Sequence, residues 1–207
     1  MQKLLENGLQ ELQLNLSTQQ VEKLLLYIEL LAKWNKVYNL TSIRDKQQMV
    51  ILHLLDSLAI VPTVMQLPKK HSIIDVGTGG GLPGIPLAIC LPDSDVTLVD
   101  AREKKIRFLR QAISQLQLSN CQAIHHRAEE LGNEKKYDII VTRAFASLKD
   151  MLGITGHLCH TDGIFLAMKG QCPDDEIAEI PEQYKVKEIE RLNVPRLDAE
   201  RHLIHIQ

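Results

Sequence analysis

Residues 73–86 read Ile-Ile-Asp-Val-Gly-Thr-Gly-Gly-Gly-Leu-Pro-Gly-Ile-Pro, so an apolar run carries an acid, Asp75, into a glycine-rich turn. A turn with few Cβ atoms lets backbone approach a ligand closely, and a helix opening at its end adds outward-pointing N–H groups. Further on, a second apolar run ends in Leu98-Val99-Asp100, which puts a carboxylate at a strand tip where it can hold a ribose diol. Together these features describe a cradle for a nucleotide cofactor. Charge separates the candidates. NAD and FAD bring a pyrophosphate, which calls for bare N–H groups at a helix N-terminus. S-adenosylmethionine instead carries a sulfonium and an ammonium, and an acid beside the turn, such as Asp75, favours those cations directly or through a water. Gly79, Gly81 and Gly84 also satisfy G-x-G-x-x-G, but in that frame Thr78 separates the strand from its first glycine and the usual junction is lost. The residues therefore favour a methyl donor over NAD.

Position along the chain assigns further residues. Gly77, Gly79 and Leu82 line the loop after the first strand, against the methionine and ribose parts of the ligand. Asp100 accepts from the ribose hydroxyls, its structural alternative being to cap the helix that starts at Ala101 or Arg102. Ala128 and Glu129 follow the third strand within reach of an adenine ring, with a backbone N–H as the contact; Glu129 equally fits a first-turn acid answering a helix dipole. Arg143 ends the fourth strand, where a substrate atom must approach the methyl group. The segment Thr142-Arg143-Ala144-Phe145-Ala146-Ser147 has neither the Asn/Asp-Pro-Pro-Tyr/Phe device that holds exocyclic amines nor the cysteine nucleophile of cytosine-C5 chemistry. A substrate with an exposed lone pair requires only alignment. Guanine N7, beside O6, is such an atom, and Arg or Lys reads that pair of acceptors well.

His53 and Asp56 stand three apart and would share a face of a regular helix. N7 alkylation releases no proton from the attacking nitrogen, so a structural hydrogen bond tying the N-terminal part to the body is expected rather than proton transfer. His125-His126 has no third ligand at sensible spacing, and no metal is expected.

The elements that must position these residues form a helical leader and an α/β body. Ser17 and Gln20 make a capping box ahead of Val21, Leu24, Leu25, Ile28, Leu31 and Ala32 at helical spacing. A second amphipathic helix is predicted from about 45 to 61, with the stretch 34–41 between the two as an ordered turn or as the leader's best place for a recognition surface. Strands are predicted near 72–76, 96–100, 122–125, 139–142 and 163–169, with helices between them. Two alternating runs, 184–191 and 201–206, come last as a terminal antiparallel pair. Pro83 and Pro86 fall in the first turn of the first body helix, where a missing N–H costs little. The expected fold is α/β: a Rossmann-like, S-adenosylmethionine-dependent methyltransferase sheet, mostly parallel with an antiparallel end strand, preceded by N-terminal helices. The leader is taken as 1–66 and the body as 67–207.

Composition narrows the classes. With 207 residues, 44% hydrophobic and 24% charged, the chain is an ordinary globular protein rather than a disordered or fibrous one. The N-terminus carries charge where a signal peptide has its apolar core, and no uninterrupted run reaches the roughly 18 apolar residues of a membrane span. A cytoplasmic protein with no membrane partner is expected, its four scattered cysteines reduced. A net charge of −2 leaves any nucleic-acid contact to local patches. The basic run Arg102, Lys104, Lys105, Arg107 and Arg110 is one such patch, or else the solvated face of a helix whose other face is Ile106, Leu109, Ile113 and Leu116.

Six blocks occur in order along the chain: Lys33-Trp34-Asn35-Lys36 with Tyr38-Asn39-Leu40-Thr41-Ser42; His53-Leu54-Leu55-Asp56-Ser57; Asp75 to Gly79 with Gly81 to Pro86; Arg143-Ala144-Phe145-Ala146; Lys169-Gly170; and Arg201-His202. Together they resemble the bacterial 16S rRNA guanine-N7 methyltransferase family, RsmG/GidB, over nearly the whole chain. The resemblance implies methyl transfer from S-adenosyl-L-methionine to N7 of one guanine in the decoding-region loop of 16S rRNA, with the small ribosomal subunit as partner and no obligate protein partner. It places cofactor contacts on Gly77, Leu82, Ala128, Glu129 and Arg143. Lys169 and Arg201 fall in blocks facing RNA phosphate or the target base, with Asn39, His53 and Asp56 supporting that face; Arg143 and Lys169 are the expected positioning groups. Gly80 departs from the family pattern, where proline is frequent. A small-molecule methyltransferase and a non-catalytic binding module remain as the alternative classes.

Overall fold

Ser17 starts the first long helix as its sequence dictates: its hydroxyl accepts from the Gln20 N–H and Gln20 Oε1 accepts from the Ser17 N–H. In a computed structural model, which describes residues 1–67, 71–132, 134–143, 145 and 147–207, this helix is α2 (Thr18–Tyr38), preceded by α1 (Gln2–Glu11). Ser17→Ala is expected to cost about 1 kcal/mol, seen as a thermal midpoint lowered by roughly 2–4 °C. The predicted turn at 34–41 is corrected in part. Trp34 to Tyr38 complete α2, with the Trp34 ring stacked on Tyr38 at 5.1 Å, and the chain turns only at Asn39, whose φ of 48° caps the helix.

The second helix is not regular. Asp45 caps α3 (Lys46–Met49), a π-helical turn comes next over Val50–Leu55, and α4 (Asp56–Leu58) and α5 (Val61–Gln66) complete the segment. Lys46–Gln66 as a whole is long and apolar enough to cross a bilayer, although charged and polar residues interrupt its apolar run, and 67% of its most apolar window is buried within the fold. Leu54, Leu55 and Leu58 are wholly inaccessible.

The body follows the alternation closely: β1 (Ser72–Val76), α6 (Gly84–Cys90), β2 (Asp95–Asp100), α7 (Glu103–Gln115), β3 (Cys121–His125), β4 (Tyr137–Thr142), α8 (Leu148–Thr155), β5 (Cys159–Lys169), α9 (Asp174–Ala178), β6 (Val186–Arg191) and β7 (His202–Ile206). The sheet order is β3-β2-β1-β4-β5-β7-β6, parallel except for β7, which runs antiparallel between β5 and β6. Strand order reverses between β1 and β4, so ligands belong off their carboxyl ends. One apolar cluster joins Leu5, Leu24, Tyr27 and Leu55 of the leader to Leu82, Ile85, Leu98 and Phe108 of the body. The leader thus shares its core with the sheet. Helix α7 buries Ile106, Phe108, Leu109 and Ala112 and exposes most of its basic run.

Candidate functional site

The loop after β1 is held from three directions. Gly77 and Thr78 donate to Val99 O at 2.9 and 3.1 Å, which pins the loop to the end of β2. The Tyr27 hydroxyl of the leader donates to Gly80 O at 2.6 Å. Asp75 Oδ2 accepts from Thr78 Oγ1 at 2.6 Å and from the Gly84 N–H at 2.8 Å, closing the loop onto the start of α6. The expectation that Asp75 sits at the edge of the turn is corrected: its side chain is wholly buried. Burial pushes its carboxyl up to about 6, against the opposing influence of Thr78, Gly84 and Arg143. Oδ1 is left without a partner, an acceptor available to a cationic ligand group or a water.

Two glycines show what the loop is shaped for. A Cβ on Gly84 would lie 2.2 Å from Leu98 Cδ2, so this glycine serves helix-to-strand packing. Gly77 has φ +70° and its nearest would-be neighbour is Phe145 Cε2 at 4.0 Å, so the chain bends sharply beside open space. Leu82 is buried under the loop. The open space and the orphaned carboxylate oxygen fit a cofactor bearing an ammonium and a sulfonium.

Asp100 ends β2 as expected but is more occupied than a free ribose acceptor. Oδ2 takes the Gly79 N–H and Lys105 Nζ, both at 3.0 Å, and Oδ1 takes the Arg102 N–H at 2.9 Å. The capping alternative is therefore present in the structure, with Arg102 as the formal first cap of α7. A diol would share this carboxylate with Lys105, a residue the sequence placed only in the basic run. Ala128 is buried and opens a short 3-10 turn over Ala128–Glu130. The Glu129 carboxylate faces Arg127 at 3.6 Å.

A cavity of about 420 Å3 lies between the π-helical turn and the carboxyl ends of β4 and β5. His53, Asp56, Arg143, Lys169, Gly170 and Arg201 are among its walls. Asp56 accepts from Arg143 Nη1 at 3.3 Å on one oxygen and from Arg201 Nε at 2.7 Å on the other. Lys169 donates to both oxygens of Glu176, at 3.0 and 2.7 Å, and to Phe145 O at 3.4 Å. Phe145 thus links the two regions: its ring is the nearest group to a Cβ built on Gly77, and its carbonyl oxygen accepts from Lys169, a wall of the cavity. Its neighbours Ala144 and Ala146 lie outside the described residues.

The expected kinship of His53 and Asp56 is corrected. Three residues span less of a wide π-turn than of an α-turn, and the two side chains make no bond to each other. His53 Nδ1 meets Leu52 O at 2.9 Å, which only accepts, so Nδ1 carries the proton and Nε2 accepts from Thr41 Oγ1 at 2.8 Å. Burial, with Arg143 nearby, lowers His53 to about 4, leaving the imidazole neutral near pH 7. Asp56 rather than His53 ties the leader to the body. Asn39 is apart from the cavity walls: it ends α2 and accepts from Arg44 Nη2 at 3.5 Å.

Asn35 and Glu176 hold places in the site that the sequence did not assign to them. Asn35, buried in α2, donates to Ile43 O and accepts from the Thr41 N–H, folding the loop that brings Ser42 and Ile43 to the cavity. An asparagine in a helix interior is a signal of such local bonding. Glu176 also accepts from the Leu148 N–H at the start of α8, a long-range bond with no local sign.

Comparison with known proteins places the chain among RNA-modifying enzymes. Residues 20–204 match the family described as rRNA small subunit methyltransferase G. The ribosomal RNA small subunit methyltransferase G of Alteromonas mediterranea is 48% identical over 204 residues, covering 99% of this chain and 95% of its own. Among solved structures, ribosomal protein L11 methylase of Lactobacillus delbrueckii subsp. bulgaricus shares the fold at a TM-score of 0.55 and 17% identity, over 74% of this chain and 76% of its own. The Pyrococcus abyssi tRNA (uracil-54, C5)-methyltransferase, solved with S-adenosyl-L-homocysteine, does so at 0.52 and 19%, over 73% and 38%.

Proposed function

The chain belongs to the rRNA small subunit methyltransferase G family, and from that premise we propose that it methylates N7 of one guanine in the decoding-region loop of 16S rRNA. S-adenosyl-L-methionine is the cofactor, and when bound it supplies an electrophilic methyl group on a sulfonium. The observation that carries the reading is adjacency: the glycine loop with its orphaned acid stands near a cavity lined by Arg143, Lys169 and Arg201, linked by Phe145, whose ring is by Gly77 and whose carbonyl accepts from Lys169, and by Arg143, whose charge acts on Asp75. Gly77, Gly79, Leu82, Asp100, Ala128, Glu129 and Arg143 are the cofactor-side residues of this reading. Asn39, Lys169 and Arg201 are the RNA-side residues, with Asn39 acting at a distance from the cavity through the helix end it caps.

The cavity suits a splayed-out guanine whose O6 and N7 edge faces guanidinium and ammonium donors. Attack by N7 in line with the departing sulfur releases no proton from the nucleophile. The residues agree with a reaction that uses no general base: His53 has one ring nitrogen donating and the other accepting within the leader, and both oxygens of Asp56 are held by arginines. Catalysis is then positioning. Asp56 and Glu176 offset the cavity's cations as the purine ring gains positive charge, which keeps the product state tolerable. Such an enzyme works in the cytoplasm, on small ribosomal subunits or their RNA.

Lys169 separates this reading from a purely cofactor-side role. Lys169→Ala is expected to leave cofactor affinity within about twofold and to lower methyl transfer about tenfold, roughly the worth of one charged hydrogen bond. Calorimetric titration with S-adenosylhomocysteine and initial rates on small subunits make the comparison. A loss of cofactor affinity would contradict the division between the two faces.

A further inference from the structure

We propose that Asp56 is a positioning residue: its buried carboxylate sets Arg143 and Arg201 against one another at the cavity, so that the guanine-holding geometry depends on the leader. The inference rests on the functional reading above and deepens it. The Asp56 side chain is only 5% exposed, whereas its partners are 24% and 25% exposed and line the cavity. The three residues come from distant parts of the chain: the start of α4, the end of β4 and the entry to β7. Each carboxylate oxygen takes one arginine, so both oxygens of Asp56 are engaged in holding the guanidinium groups. Arg143 uses Nη1 on Asp56 and Leu52 O, and Arg201 uses Nε on Asp56 and Nη1 on Glu200 O. With five donors on each guanidinium, N–H groups remain on both for an acceptor in the cavity.

Two observations argue that this contact does more than fasten the leader. The leader is already anchored by Leu54, Leu55 and Leu58, all inaccessible and part of the shared core. A buried carboxylate bridging two cations adds little stability over an apolar replacement, so orientation is the better account of its presence. The helix also departs from regularity just before it. The π-turn at Val50–Leu55 carries an added residue, and each such residue rotates the downstream helix by about 100° relative to an unbroken α-helix. On the helix so rotated, Asp56 meets both arginines.

The test is a double-mutant cycle on the full chain with Asp56→Asn, Arg201→Gln and the double variant, reading kcat and KM on small subunits, S-adenosylhomocysteine affinity and thermal midpoint. Asp56→Asn is expected to lower kcat at least tenfold, with a smaller loss of cofactor affinity through Arg143, which stands on the cofactor side. The double variant is expected to lose less than the product of the two single losses, because part of the Asp56 effect runs through Arg201 and the remainder through Arg143. Asp56→Glu, which keeps the charge but moves it, is expected not to restore kcat. Full kcat in Asp56→Asn, restoration by Asp56→Glu, or additive losses would overturn the inference. So would losses that follow the folded fraction, and if Asp56→Asn folds poorly, Arg201→Gln reads the same contact from its other side. N7 methylation unaffected by Asp56→Asn rejects this inference alone, whereas no transfer to 16S rRNA by wild-type protein rejects the functional reading and the inference with it.

Discussion

Gly77→Asp is expected to abolish cofactor binding while the fold survives. At Gly77 the backbone has φ +70°, and a Cβ would meet no protein atom closer than 4.0 Å. The new Cβ therefore meets only ordinary van der Waals contact, and the side chain occupies the neighbourhood of the loop that the proposed function gives to the methionine end of the ligand. Asp tolerates left-handed backbone better than most residues, at about 1 kcal/mol. A fall of roughly 2–4 °C in thermal midpoint is the consequence. The bound ligand, by contrast, loses its volume and meets a like charge at its own carboxylate, so affinity should fall by more than about 100-fold, or about 2.8 kcal/mol. Titration calorimetry and thermal melts on the same preparation check both halves. Retained binding would show that the ligand does not pass Gly77. Gly84 supplies the contrast, because a Cβ there runs into Leu98 and Asp75 and substitution damages packing first.

The second large effect is a pH dependence centred on Asp75. Its carboxyl is raised from 3.8 to about 6, chiefly by burial, with Asp100 adding to the rise while Thr78, Gly84 and Arg143 oppose it. A raised folded-state value means that the folded protein binds the extra proton between these two limits. The group's contribution is fully present below about pH 4 and is lost as pH rises through 6, a change of about 3 kcal/mol in the ligand-free protein. A cationic ligand beside Oδ1 favours the ionised form and reverses the preference. Cofactor affinity should therefore rise roughly tenfold between pH 5 and 7, as the ionised fraction grows from about a tenth to about nine tenths. Asp75→Asn keeps an acceptor for Thr78 and Gly84 but cannot titrate, so both slopes should flatten. Denaturant midpoints and calorimetric affinities across that range test the pair. A slope in affinity unchanged by Asp75→Asn would assign the titration to another group.

Much of the frame was legible because local rules decide it. The buried strands β1 and β2 read as apolar runs, the Ser17–Gln20 box announced α2, and the glycines and prolines after β1 marked the turn into α6. The interior of the site was less legible because partners across the fold decide it. Arg143 and Arg201 meet Asp56 across 87 and 145 positions, and no periodicity carries that information. The π-turn was hidden for a related reason. Periodicity assumes a regular helix, and the widened turn over Val50–Leu55 is made of mostly apolar residues that an α-helix would hold equally well. Asp100 was placed at the correct strand tip, but its sharing with Lys105 depends on how α7 is seated. Lys169 was named from the Lys169-Gly170 block of the resemblance, while its partner Glu176 lies on a helix of five residues, too short to announce itself.

Transfer of labelled methyl from S-adenosylmethionine to small ribosomal subunits purified from cells lacking this protein, followed by mapping of the modified base, tests the central claim most directly. Label is expected at a single N7-methylguanine in 16S rRNA. No label on subunits or free 16S rRNA, with cofactor binding intact, would contradict that claim and point to a small-molecule substrate or a binding role without turnover.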